Sequence, residues 1–125
     1  MSLSLRLFVF KDPTELIEQK VVSPKKILSF IDDYQIFGQL MNLGREREDI
    51  PKNPTITTKP IPENLWIKND KDKIIEDAYG EELTFVSAQQ LKQLKMPKDA
   101  HQKNIEIKAF IDNLPDNTPI ILYWH

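Results

Sequence analysis

Hydrophobic and polar positions alternate at the start of the chain. Leu3, Leu5, Leu7 and Val9 fall on one side of an extended segment, and Ser4, Arg6, Phe8 and Phe10 on the other. Period two predicts a strand, and the two phenylalanines make its second side partly apolar as well. Asp12-Pro13-Thr14-Glu15 then reads as a helix start. Asp12 is the N-cap, proline occupies the first helical position, and Glu15 can reach back to the cap. This helix should be short and end near Val21-Val22-Ser23-Pro24, because proline disfavours helical geometry in the residue before it and can itself open a new helix. Ile27, Leu28, Ile31, Tyr34, Phe37, Leu40 and Met41 follow at intervals that suit one apolar helical stripe, with Gly44 as its stop. Asp32-Asp33 offers a second cap inside that stretch.

From Arg45 to Asp70 the pattern changes to a charge cluster followed by Pro51, Pro54, Pro60 and Pro62. Such spacing is hostile to continuous helix and predicts a long loop or an edge. Thr55-Ile56-Thr57-Thr58 can pair briefly with a sheet, and Leu65-Trp66-Ile67 needs an anchor. Leu83-Thr84-Phe85-Val86 predicts a short strand, and Ser87-Ala88-Gln89-Gln90 has capping-box order ahead of a helix buried through Leu91 and Leu94 and ended by Met96-Pro97. Ile107, Phe110, Ile111 and Leu114 predict a last helix over 104–114. A turn at Pro115–Pro119 leads into Ile120–Trp124, whose continuous apolar run predicts a buried strand. Strands at both ends with helices between them give an α+β fold: a small sheet formed with the N- and C-terminal strands and packed by three or four helices, in one domain over 1–125. The helix carrying Tyr34, Phe37, Leu40 and Met41 is expected to pack on that sheet.

Three segments together resemble small uncharacterised proteins encoded by bacteriophages and prophages. Tyr34-Gln35-Ile36-Phe37-Gly38-Gln39-Leu40 is similar to the group's tyrosine, aliphatic, phenylalanine, small residue, leucine helix. Pro60-Ile61-Pro62-Glu63-Asn64 lies where the group has a proline-containing loop, and Leu83 to Leu91 is similar to its strand-to-helix segment. The sequence departs from the group at Tyr79-Gly80-Glu81-Glu82, which replace its histidine and serine positions. The resemblance implies a phage-like accessory protein and supplies no catalytic residue.

Composition narrows the chemistry. The 125 residues are 40% hydrophobic and 29% charged, with 17 basic against 19 acidic side chains and a net charge of -2. A mean hydropathy of -0.45 and the lack of any long apolar run indicate a soluble chain, expected in the cytoplasm, with no membrane partner. No cysteine is present, which removes disulfides, thiolate nucleophiles and cysteine-ligated metals. His101 and His125 are too few for a histidine-based site, and His101 reads as a solvated loop residue. Gly38, Gly44 and Gly80 form no phosphate cradle. Asp70-Lys71-Asp72 lacks the glycine and closing glutamate of a calcium loop and reads as a turn. No catalytic residue, metal ligand or cofactor is assigned.

What remains is recognition. The expected function is a small protein-binding module, a phage or prophage accessory factor acting on a host or cognate protein. Arg45, Arg47 and Trp66 are its candidate contact residues, because arginine and tryptophan dominate interfaces and the prolines around them limit the ordering cost. Trp66 has a competing role as an internal anchor. Two alternatives belong to other classes: a metal-assisted hydrolase using Asp33, Asp72, Glu76 and Asp77, and a nucleic-acid binder using the scattered lysines of Lys25-Lys26, Lys71 with Lys73 and Lys92 with Lys95. For the latter, Trp66 near Lys68 is the only hint of base stacking, and interspersed acids disfavour it. The apolar character of both sides of the terminal strands also leaves room for a homo-oligomer.

Overall fold

The structure is a computed structural model that describes residues 3–18, 20–41 and 54–125. Strand β1 (Leu5–Val9) lies between β3 (Lys26–Phe30) and β8 (Pro119–Trp124); β8 continues to β7 (Thr84–Ser87) and β7 to the two-residue β4 (Lys59–Pro60). The five-stranded sheet thus has the order β3-β1-β8-β7-β4 with every pair antiparallel. A second, three-stranded sheet has the order β2 (Val21–Val22), β5 (Trp66–Asn69), β6 (Asp72–Ile74). The helices are α1 (Thr14–Glu18), α2 (Tyr34–Phe37), α3 (Ala88–Leu91) and α4 (Gln102–Asp112). As expected, the fold is α+β with the first and last strands side by side. No helix among the described residues is long and apolar enough to cross a membrane.

The two-sided apolar character of the terminal strands is explained by two cores, one on each face of the large sheet. Leu5, Leu7, Val9, Ile120, Leu122 and Trp124 point to a core closed by Ile36 and Phe37 of α2, Leu91 of α3, and Ile107 and Ile111 of α4. Phe8, Phe10 and Ile121 point the other way, against Leu16 of α1 and against Val22 and Ile67 of the small sheet. A strand buried on both faces needs no alternation, which is why β8 reads as an unbroken apolar run.

Local signals set the helix starts. The Asp12 carboxylate accepts from Thr14 N at 2.9 Å, while Glu15 Oε1 accepts from Lys11 N at 2.7 Å and Asp12 N at 3.1 Å. Its hydrogen bond from the Thr14 hydroxyl holds the Asp12 carboxyl below its ordinary value of 3.8. At α3 the capping box is complete: Ser87 Oγ accepts from Gln90 N at 3.2 Å and Gln90 Oε1 accepts from Ser87 N at 2.9 Å. Ser87→Ala is therefore expected to lower stability by about 1 kcal/mol, read as a shifted urea midpoint with an unchanged slope.

The apolar stripe over 27–41 is not one helix. Lys26–Phe30 is a strand paired to β1, and a separate helix starts at Asp33, whose Oδ1 accepts from Gln35 N at 3.0 Å and Ile36 N at 3.3 Å. Ile27, Leu28 and Phe30 suit either period, and the free side of β1 gave them a ladder to join. The cap at Asp33 was legible; the strand before it was not. Within the proline-rich stretch, residues 45–53 and the expected stop at Gly44 lie outside the described residues. Further along, β4 and β5 occupy part of what was expected to be loop. Sheet pairing falls at Lys59–Pro60 instead of Thr55–Thr58, while Thr55 N and Ile56 N both donate to Gln39 O.

Candidate partner-binding surface

The small sheet positions the one candidate contact residue that is described. Val22 and Ile67 are buried at 1% and 0% exposure and face the large sheet, so their neighbours in sequence must face outward. Val21 and Trp66 lie side by side in the parallel β2–β5 register and are 38% and 41% exposed. On the same outward face, Lys68 of β5 stands directly opposite Lys73 of β6. The anchoring of Leu65-Trp66-Ile67 is done by Leu65 and Ile67, exposed by 1% and 0%, and not by the tryptophan between them. Asn69 and Asp72 close the β5–β6 hairpin across Asp70-Lys71, with Asp70 at φ 60°, so the turn falls on Asp70-Lys71 and Asp72 opens β6. Arg45 and Arg47 lie outside the described residues.

This arrangement has a definite chemistry. Indole and valine offer a flat apolar patch, and two lysines facing each other across a ladder repel within the fold. A carboxylate set between the two ammonium groups would relieve that repulsion. The alternation Leu65-Trp66-Ile67-Lys68 carried the strand signal, but the pairing of Trp66 with Val21 joins segments distant in sequence and had no local signature.

Two concave regions lie elsewhere. An open groove of about 570 Å³ runs past Pro13, Ile17, Phe85 and Pro119 and includes Lys59 and Asp116, with Ile17 77% exposed. A second hollow of about 430 Å³ is lined by Glu63, Glu76 and Glu82, the last two paired across an isolated bridge. Of the acids named for metal-assisted hydrolysis, Glu76 and Asp77 are chain neighbours, while Asp33 and Asp72 belong to other elements. Asp33 caps α2, Asp72 is in β6, and the Asp77 carboxylate accepts from Tyr79 N at 2.8 Å and Glu81 N at 3.1 Å. Among the described residues no group of three or more His, Asp or Glu side chains could hold a metal ion. His101 is the N-cap of α4, its Nδ1 accepting from Lys103 N at 3.1 Å. His125 stacks on Tyr123 at 5.7 Å, and burial, with Arg6 nearby, pushes its pKa below 6.5. Of the lysines considered for nucleic acid, Lys92 is taken up by Asp116 at 2.6 Å and Lys26 lies over the Phe110 ring at 4.8 Å.

Comparison of the chain with family models, with curated proteins and with solved structures finds no match.

Proposed function

We propose that the protein is a small binding module that grips a partner protein through the outward face of the small sheet. The observation that carries this reading is the exposed Trp66, set between Val21 and the opposed Lys68–Lys73 pair. The chemistry favours a partner segment that pairs acidic side chains with an apolar one. The role of phage or prophage accessory factor, with a host protein as partner, rests on the resemblance in sequence.

Mutants separate recognition from folding. Trp66→Ala is expected to keep stability within about 1 kcal/mol of wild type, because Leu65 and Ile67 hold the strand, yet to weaken capture of the partner by at least about 2 kcal/mol. Lys68→Glu should weaken capture while leaving the melting temperature nearly unchanged. Capture unaltered by both substitutions, or a Trp66→Ala chain that unfolds, overturns the assignment. The same indole beside two lysines also suits stacked bases and phosphates. Salt-sensitive binding of a single-stranded oligonucleotide, lost in Lys68→Glu, would establish that reading in place of a protein partner.

A further inference from the structure

We propose that two copies of this chain associate by antiparallel pairing of their β3 strands, joining the two large sheets into one. The first observation is the direction of the backbone groups. Ser4 and His125 exchange hydrogen bonds at 2.7 and 2.9 Å and Phe10 N donates to Pro119 O at 3.1 Å, so the even-numbered residues of the first strand face β8. The odd-numbered ones, Leu5, Leu7 and Val9, therefore face β3, opposite Phe30, Leu28 and Lys26. It follows that Ile27, Ser29 and Ile31 aim their N–H and C=O groups away from the sheet.

The outer end of that row is closed by a side chain. Ile31 N donates to Asn104 Oδ1 at 2.8 Å, and Ile31 O accepts from Asn104 Nδ2 at 3.0 Å. Ile27 and Ser29 find no such partner among the described residues, since β3 ends the sheet. An open edge carrying an isoleucine 45% exposed is the feature that soluble proteins ordinarily blunt.

The second observation selects the occupant. The segment Lys25-Lys26-Ile27-Leu28-Ser29-Phe30-Ile31-Asp32-Asp33 is basic at one end and acidic at the other, with only uncharged residues between. Antiparallel pairing with itself lays each basic end near the partner's acidic end; parallel pairing would stack like on like. Asp33 is engaged in capping α2, which leaves the exposed Asp32 diagonal to Lys26 of the second copy, whose ammonium would turn from the Phe110 ring to meet it. With Leu28 across from Leu28 of the second copy, Ile27 of each chain pairs with Ser29 of the other. Every open backbone group is then used, and Ile31 stays on Asn104.

Sedimentation of the full chain over a concentration series tests this, with backbone amide exchange as the structural readout. The expected species has about twice the 14.6 kDa mass of the chain, with Ile27 and Ser29 amides that lose protection on dilution. Ser29→Pro removes only an outward N–H, so it should keep the chain folded, with the melting temperature the wild type shows at high dilution, and give a monomer. Lys26→Asp should weaken association roughly tenfold through the two symmetry-related contacts, and adding Asp32→Lys in the same chain should restore it. A monomer at every concentration overturns the proposal. So does a dimer that survives Ser29→Pro with Ile27 and Ser29 unprotected, or a double reversal that binds no better than the single one. An edge taken instead by a strand of another protein would appear as protection of these amides only when that protein is added, and that result also overturns self-pairing.

Discussion

Phe37→Ala is expected to lower the stability of the fold by about 3–5 kcal/mol, the largest effect of any single truncation considered. Phe37 has no exposed surface. Its ring meets Trp124 edge-on at 5.3 Å and 87°, and Tyr34 edge-on at 6.4 Å and 87°. Deleting it removes transfer energy, two edge-to-face contacts, and the plug that α2 inserts over the end of β8. Four residues of helix cannot collapse far into the space left behind, because Asp33 fixes one end and Gln39 the other. Against a typical domain stability of about 5–15 kcal/mol, such a loss brings the chain close to unfolding at room temperature. Urea titration of the variant measures it. A midpoint equal to wild type would show that α2 is not part of the core.

How much of this was legible depends on the range of the interactions. The first and last strands, the caps at Asp12, Asp33 and Ser87, and the turn before β8 follow from signals spanning four or five residues. The α+β class follows from their order. The helix assigned across Ile27 and Ile31 failed because an apolar run at mixed spacing satisfies two periods, and the deciding partner, β1, is about twenty residues away. Val21 beside Trp66 shows the same limit at the candidate site: the exposure of each could be argued locally, their adjacency could not. The least legible features are the buried amides. Gln39 donates to Gln35 O at 3.0 Å and Lys95 O at 2.9 Å and accepts from Lys95 N at 2.8 Å, tying segments 56 positions apart. In the sequence it is one glutamine between Gly38 and Leu40 in an otherwise apolar stretch.

Asn104 is the second such amide, and replacing it gives the other large expected effect. The side chain is fully buried at the start of α4, and its two hydrogen bonds to Ile31 span 73 positions. Asn104→Leu keeps the approximate volume but removes both hydrogen bonds to the part-buried N–H and C=O of Ile31, each worth about 0.5–1.5 kcal/mol, so a loss of about 1–3 kcal/mol is expected. Asn104→Asp distinguishes hydrogen bonding from packing. An ionised aspartate still accepts from Ile31 N but sets a charged oxygen against Ile31 O, and both burial and that contact raise its pKa in the folded state. The penalty is then full at neutral pH and relieved as the pH falls through the folded pKa, where protonation restores a donor. Denaturant midpoints of the two variants should accordingly converge, or cross, between about pH 7 and about pH 4, with Asn104→Asp gaining on Asn104→Leu. A constant difference across that range would mean that the amide fills space and does not pair. In Asn104→Leu the open edge of β3 grows from two outward-facing residues to three, Ile27, Ser29 and Ile31. If Asn104 is what ends that edge, Asn104→Leu should therefore aggregate more readily during refolding than Phe37→Ala at matched stability.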